Sequence, residues 1–416
     1  MRPRGELSRS ALPLLFLPLL LFLPAVVQSA RQQWHLQRVP VVLPLQTDAR
    51  PDPSFLSPAH LEVTSACDPE CHRAAPRPSY WDLRELLAFE TLHSNGHLTE
   101  TAVGIYGYDP RADTSPAYLV ADAAAAAPPP TKTPKAPVRR RRQIFGHDGR
   151  FSIAGRDHLL QYPFSVAVKL STGCSGTLVG ERHVLTAAHC VHDGKNYVKG
   201  AQKLRVGFLR PSQRDSSPSS SSSSNSTNHA EAALGSAADD YSPPSNHKMR
   251  FQWIRAKRTH VPKGWVRGDA NDVGMDYDYA LLELKKPHRR RHMRLGVSPP
   301  ARRLPGRRVQ FSGFDGDRRG QLVYRFCAAA EETADLLYQR CDATPGASGS
   351  GVYARMWDGR RRRWERKVIG VFSGHQWVER GDGATEEFNV AVRLTPLKYA
   401  QICYWIRGNF VDCREG

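Results

Sequence analysis

The sequence predicts an all-β protein whose main part forms two small packed β-barrels and closes with a C-terminal helix. The 274 residues from Gln143 onward are enough to enclose a sizeable core. Short apolar or alternating runs separated by turn residues recur along this part, as expected of strands. The clearest of these runs are 164–170, 206–209, 279–284, 322–326 and 368–372. Near the end, Thr395 and Pro396 supply a cap and a first turn for a helix over Leu397 to Arg407.

The N-terminus has the layout of a secretory signal peptide over residues 1–29. Three arginines precede an apolar run from Ala11 to Val27, and small residues follow it. We expect cleavage near Ser29 and a secreted, extracellular protein. Three prolines interrupt the run, and it is too short to span a bilayer comfortably, which disfavours a membrane anchor.

Residues 30–142 form a leader that ends in four consecutive arginines. It contains one amphipathic stretch, Trp81 to His93, which predicts a helix. A Pro- and Ala-rich linker, 123–138, then leads to Arg139–Arg142. We predict that a proprotein convertase cleaves after Arg142 and that the leader is a propeptide. The alternative is a solvated basic run or a polyanion-binding patch.

The eight cysteines fit disulfides, because an even number in an oxidising compartment favours bridges over a metal site. Proximity in sequence suggests Cys67 with Cys71, Cys327 with Cys341, and Cys403 with Cys413. A zinc site at Cys67, Cys71 and His72 would lack a fourth ligand nearby. We therefore expect no metal and no cofactor.

One segment of the second part, 211–244, is too polar to join a core. It contains a serine run, 219–224, and behaves in sequence as a surface insertion. Asn225 within it begins an Asn-Ser-Thr glycosylation sequon, which predicts a glycoprotein.

Three residues in the order His, Asp, Ser could together form a nucleophilic site. Ser348 lies between glycines in Gly346-Ala347-Ser348-Gly349, where the backbone can turn sharply. His189 ends an apolar run, and Asp278 precedes another. A serine hydroxyl needs an imidazole to take its proton and a carboxylate to orient that imidazole. Asp276, two residues earlier, is a rival for the carboxylate role.

These motifs resemble the trypsin-like (chymotrypsin-fold) serine peptidases, through Thr-Ala-Ala-His-Cys, Asp-Tyr-Ala-Leu-Leu-Glu-Leu and the glycine-flanked serine. The resemblance implies two packed six-stranded antiparallel β-barrels and an endopeptidase that is made as a zymogen and acts on protein or peptide substrates. It implies that His189, Asp278 and Ser348 are the catalytic residues, with the backbone amides of Gly346 and Ser348 as the oxyanion hole. It also implies a disulfide between Cys174 and Cys190.

Two further positions bear on activation and specificity. Where the family has an Asp before the nucleophile to receive the freed N-terminus, this chain has Ala347, and cleavage would leave Gln143 one residue before Ile144. Asp342 lies six residues before Ser348, the family's position for binding Arg or Lys at the cleaved bond. His375 instead resembles the acid-binding histidine of glutamyl endopeptidases. We expect the Arg or Lys preference.

The composition is strongly basic, with 59 Lys plus Arg against 40 Asp plus Glu and a net charge of +19. Such a surface attracts polyanions, and outside the cell the candidates are heparin-like glycosaminoglycans. No nucleic-acid reading module is recognisable, so we expect no specific nucleic-acid partner. A catalytically silent protease-fold protein that binds polyanions is therefore the alternative function, and plain solubility is the ordinary explanation of the charge.

Overall fold

The computed structural model describes residues 33–34, 38–59, 61–67, 78–108, 144–211, 249–267, 273–358, 361–380 and 382–416. The predicted signal segment, the linker with Arg142, the insertion beyond Pro211 with Asn225, and the pair Cys71 and His72 lie outside these residues. None of the helices within the described ranges is both long and apolar enough to cross a membrane.

Strands dominate the described residues, which confirms the all-β prediction. The strands are β1 Gln33–Trp34, β2 Val41–Arg50, β3 Thr64–Cys67, β4 Phe89–His93, β5 Leu98–Tyr106, β6 Phe151–Ile153, β7 Ala167–Leu170, β8 Ser175–Gly180, β9 His183–Thr186, β10 Arg205–Pro211, β11 Met249–Pro262, β12 Ala280–Leu284, β13 Arg294–Leu295, β14 Arg308–Gly313, β15 Leu322–Glu332, β16 Leu336–Gln339, β17 Gly351–Asp358, β18 Arg363–Glu379 and β19 Thr385–Arg393. The helices are α1 Tyr80–Leu87, α2 Arg156–Leu160, α3 Lys263–Arg267 and α4 Pro396–Arg407.

Each of the two predicted barrels closes on itself. The first follows the circuit β10, β7, β8, β9, β12 and β11, and it closes where β11 pairs with β10. The second follows β14, β15, β16, β19, β18 and β17, and it closes where β17 pairs with β14. Of the predicted strands, 164–170 began three residues too early, because Phe164–Val166 forms a 3-10 turn before β7, and 279–284 began one residue before β12.

The C-terminal helix forms as predicted. The Thr395 side chain accepts a hydrogen bond from the Lys398 amide, Pro396 is in the first turn, and Gly408 ends the helix in the left-handed conformation. Trp405 on this helix packs edge-on against Phe89 of the leader, with 5.2 Å between ring centroids. The helix therefore contacts the leader strands.

The leader extends both sheets. Strand β4 pairs with β11 of the first barrel and carries β5 and β2 beyond it, while β3 pairs in parallel with β18 of the second barrel. Ten apolar leader residues are buried in the shared core: Val39, Val42, Val63, Leu83, Leu87, Phe89, Leu92, Leu98, Val103 and Ile105. Each contributes about 1.5–3 kcal/mol when fully buried.

The predicted leader helix was wrong in its second half. Helix α1 begins at the Ser79 capping box with Asp82 and ends at Leu87, where Ala88 is extended. The following residues, Phe89–His93, form β4 instead. Pairing with β11 and β5 buries Phe89 and Leu92, and this tertiary gain overrides the local helical pattern.

Candidate active site

His189 and Asp278 meet because they lie at the ends of two paired strands. Strands β9 and β12 are antiparallel, with Ala280 opposite Thr186, so the end of β9 and the start of β12 share one edge. His189 lies in a 3-10 turn just after β9, and Asp278 lies two residues before β12. A disulfide from Cys190 to Cys174 fixes the histidine turn to the start of β8, with 5.9 Å between the two Cα atoms.

Three donors hold the Asp278 carboxylate. The His189 ring Nδ1 lies 2.7 Å from Oδ2, the His189 amide donates to Oδ1 at 2.9 Å, and the Ser373 hydroxyl donates to Oδ2. His189 and Asp278 are at most 1% exposed. An Nδ1 that faces a carboxylate carries the proton, so Nε2 keeps the lone pair that a general base needs. The rival Asp276 belongs to the preceding 3-10 turn, and Asp278 is the carboxylate on the imidazole.

Ser348 lies on a tight turn between β16 and β17. Gly346 and Gly349 adopt positive φ angles of 103° and 84°, which a side chain would strain. Ser175 of the first barrel fastens this turn, since its amide donates to the Ser348 carbonyl at 2.9 Å and its hydroxyl to the Gly346 carbonyl at 2.8 Å. The serine turn of one barrel is thereby positioned at the edge of the other.

The Ser348 hydroxyl does not hydrogen-bond to His189 in this structure. Its Oγ lies 3.0 Å from the Leu61 carbonyl oxygen and 2.9 Å from the Ser373 carbonyl oxygen. Within the described part of the chain, His189 Nε2 is buried and has no hydrogen-bond partner. The Gly346 amide donates to the same Leu61 carbonyl at 3.2 Å, so this amide points into the site. The leader thus supplies a carbonyl group at the candidate nucleophile.

A small cavity of about 10 Å³ lies beside Ser348. Its lining includes Leu61 and Glu62 of the leader, together with Ala343, Thr344, Pro345, Phe372, Gly374 and Asn389. His375 adjoins it in β18, opposite Asn389, and packs edge-on against Trp377 at 4.6 Å. Burial lowers the pKa of His375, which favours its neutral form.

Asp342 binds the segment that follows the arginine run. One carboxylate oxygen accepts from the Phe145 amide at 2.7 Å and the other from the Gly149 amide at 2.6 Å. The specificity roles given to Asp342 and His375 therefore stay predictions, and Asp342 has a second role in anchoring the chain after Arg142. Ala347 is fully buried in an apolar cluster.

Arg150 completes this anchor. Its guanidinium is 3% exposed and pairs with Asp148 at 2.9 Å and with Asp315 and Asp317 at 2.8 Å each. It also donates to the Thr344 hydroxyl at 3.2 Å, four residues before Ser348. The segment is thus docked beside the serine turn while the chain is intact.

Sequence reasoning missed three residues of the site. Ser373 follows a predicted strand directly, so its position beside a polar group could have been suspected. Trp265, whose ring centroid lies 6.3 Å from that of His189, and Leu61 carry no motif. Cys327 and Cys403 are bonded to Cys341 and Cys413, the pairs suggested by proximity.

Two closed barrels with a His, Asp and Ser at their junction define a trypsin-like serine protease, and a family model described as Trypsin matches residues 155–229. The chain is 56% identical over 409 residues to serine protease 23 of Macaca mulatta, which covers 97% of this chain and 98% of that protein. It therefore belongs to the trypsin-like serine protease family.

The chain is also similar to a second group of relatives and to a solved structure. Inactive serine protease 35 of Mus musculus is 47% identical over 400 residues, which covers 92% of this chain and 93% of that protein. A solved structure of a Glu endopeptidase in complex with MPD is 18% identical, covers 63% of this chain and 98% of its own, and has a TM-score of 0.40.

Proposed function

We propose that the protein is a secreted serine endopeptidase that hydrolyses peptide bonds through an acyl-enzyme. Ser348 attacks the scissile carbonyl carbon, and His189 Nε2 takes the Ser348 proton. Asp278 keeps the imidazole oriented and stabilises the imidazolium that forms. The observation that carries the proposal is the buried contact between His189 Nδ1 and Asp278 at 2.7 Å, which leaves Nε2 free to act as a base.

The remaining steps follow from the same groups. As the Ser348 oxygen bonds to the carbonyl carbon, the oxygen of that carbonyl becomes negative and accepts from the amides of Gly346 and Ser348. Each such donor contributes on the order of 3 kcal/mol to the transition state. His189 then gives its proton to the leaving amine, the peptide bond breaks, and water attacks the acyl-enzyme with His189 again as base.

The route to the mature protein is part of the proposal. The signal segment 1–29 directs secretion, a proprotein convertase cleaves after Arg142, and Asn225 carries a glycan. Ala347 offers no carboxylate to a freed N-terminus. The contacts of Asp342 with backbone amides and of Arg150 with three aspartates support a serine turn whose order does not depend on that freed terminus.

A second function is a catalytically silent protein that binds extracellular polyanions. Similarity to a relative named inactive favours it, as does the net charge of +19. Arg289, Arg302, Arg303 and Arg362 are exposed and available for sulfated glycosaminoglycans. Arg290 is turned inward, because its guanidinium donates to the Leu209 carbonyl.

Labelling with a serine-directed fluorophosphonate separates the two functions. We expect the secreted protein to form a covalent adduct on the peptide containing Ser348, and Ser348→Ala to form none. His189→Ala should slow labelling at least about 100-fold, because general-base catalysis typically contributes 10²–10⁴-fold. Ser350→Ala, two residues away, is the matched control and should keep the adduct on Ser348. An adduct that survives Ser348→Ala would contradict the proposal.

A further inference from the structure

The leader crosses the candidate site as an extended segment, residues 61–67, which we call the strap. Before the strap begins, the chain is fastened to the first barrel where the Lys199 amide donates to the Ser57 carbonyl at 2.7 Å. The strap then runs parallel to β18, with Thr64 opposite His375 and Cys67 opposite Val378. The His375 amide donates to the Val63 carbonyl at 2.9 Å. Strand pairing therefore holds the strap in the cleft between the barrels.

The backbone of the strap lies directly against Gly374, which has no side chain. A Cβ atom at this position would lie 1.9 Å from the Val63 carbonyl oxygen and 2.8 Å from its carbonyl carbon. Real Cβ atoms do not approach backbone that closely, so a side chain at Gly374 would force the strap away. Val63 itself is 7% exposed and belongs to the shared core.

The strap occupies the groups that a substrate carbonyl would use. The Leu61 carbonyl takes the hydrogen bond of the Gly346 amide and lies within reach of the Ser348 hydroxyl. A hydroxyl that donates to a carbonyl oxygen is not placed to attack the carbon, and its proton is not directed to His189. Ser348 is 2% exposed under this cover.

The pairing of the strap with β18 also protects the strap from cleavage by Ser348. The carbonyl at Ser348 belongs to the bond between Leu61 and Glu62, and the residues on the leaving side of that bond are the ones paired with β18. An amine that stays anchored beside an acyl-enzyme attacks it again and restores the bond. Strand pairing thus favours an intact strap.

We propose that the strap is a built-in inhibitor of the candidate active site, and that cleavage after Arg142 leaves it in place. The inference rests on the proposed peptidase function. The leader strands on either side of the strap are buried in the shared core. Cutting the linker therefore breaks no contact of residues 61–67. Activation then requires a further event that displaces the strap from β18.

Hydrogen exchange and labelling on the full-length secreted protein test this proposal. We expect slow amide exchange at Gly346 and His375 in the wild type, because both amides donate to the strap. Gly374→Ala, which pushes on the strap from the barrel, and Val63→Asp, which places a charge at a buried strap position, should both speed exchange at these amides. Both should also accelerate fluorophosphonate labelling of Ser348 at least about tenfold.

Gly104→Ala is the matched control, because it makes the same change in a leader strand where the neighbour is the exposed Tyr106 ring. It should leave the rates of amide exchange and of fluorophosphonate labelling unchanged. Fast amide exchange at Gly346 and His375 in the wild type would contradict the inhibitory role of the strap, whatever the rate of fluorophosphonate labelling. Slow exchange in the wild type with no labelling of any variant would instead contradict the peptidase function, and with it the inhibitory role.

Discussion

At the scale of single residues, the buried Arg150 joins the chain after the predicted cleavage site to the serine turn. Hydrogen bonds from its guanidinium hold the pKa of Asp148 well below its usual range and lower that of Asp317 to about 2. Asp315, which it also contacts, has no exposed side-chain surface. This buried guanidinium is costly to remove, because Asp317 then loses the arginine it pairs with, while Asp148 keeps only Arg318 and Asp315 keeps only Arg325.

We predict that Arg150→Gln destabilises the protein by roughly 3–5 kcal/mol at neutral pH and weakens its acid sensitivity. Carboxylates with lowered folded-state pKa values stabilise the native state above their unfolded pKa near 4, and this contribution disappears as pH falls towards 2. Urea unfolding should therefore show that the free energy of unfolding falls more between pH 6 and pH 3 for the wild type than for Arg150→Gln.

The control for this prediction is Arg340→Gln, whose side chain is 52% exposed and pairs with Glu386 at 3.3 Å. It should change stability by less than about 1 kcal/mol. Equal pH dependence of the wild type and Arg150→Gln would show that Arg150 does not set the acid response.

Sequence reasoning can propose the residues whose chemistry lies in a local motif. His189, Asp278 and Ser348 could be named because each belongs to a short run with a recognisable role. The strap could not be named, because Leu61 is 287 positions from Ser348 and contributes a backbone carbonyl that any residue has. Its contact depends on the parallel pairing of β3 with β18, which no local pattern encodes.

At the scale of elements, strand β4 joins the leader to the first barrel through a buried ion pair as well as apolar packing. Lys263 Nζ lies 3.3 Å from Glu90 and 3.0 Å from Glu100 of the leader, and the Tyr197 hydroxyl donates to Glu90 at 3.2 Å. Lys263 and Glu90 are 5% and 6% exposed. The leader carboxylates therefore neutralise a buried ammonium of the barrel.

Glu90→Gln keeps the shape, removes the charge and leaves Lys263 paired with Glu100, so we predict a loss of roughly 2 kcal/mol in the free energy of unfolding. Lys257→Gln is the control, because Lys257 is 45% exposed and pairs with Glu283 at 3.0 Å. It should cost less than about 1 kcal/mol. Chemical denaturation measures both, and equal small losses would show that this ion pair does not stabilise the attachment of β4.

At the scale of the whole molecule, the leader completes the fold and covers the candidate site. Arg142 is the predicted convertase site, but the sheets and the core contain residues from both sides of it. The three disulfides within the described residues all join cysteines after Arg142. Noncovalent contacts of the described residues therefore hold the leader to the barrels.

The most direct test of the leader's place in the fold is native mass spectrometry of the purified protein after treatment with a proprotein convertase, which we expect to cleave after Arg142. Ten buried apolar residues and the Glu90 ion pair lie on the leader, so we predict one folded species that contains both chains and separates only on denaturation. A folded species made of residues 143–416 alone, with the leader released, would contradict the central claim that the leader is part of the folded molecule.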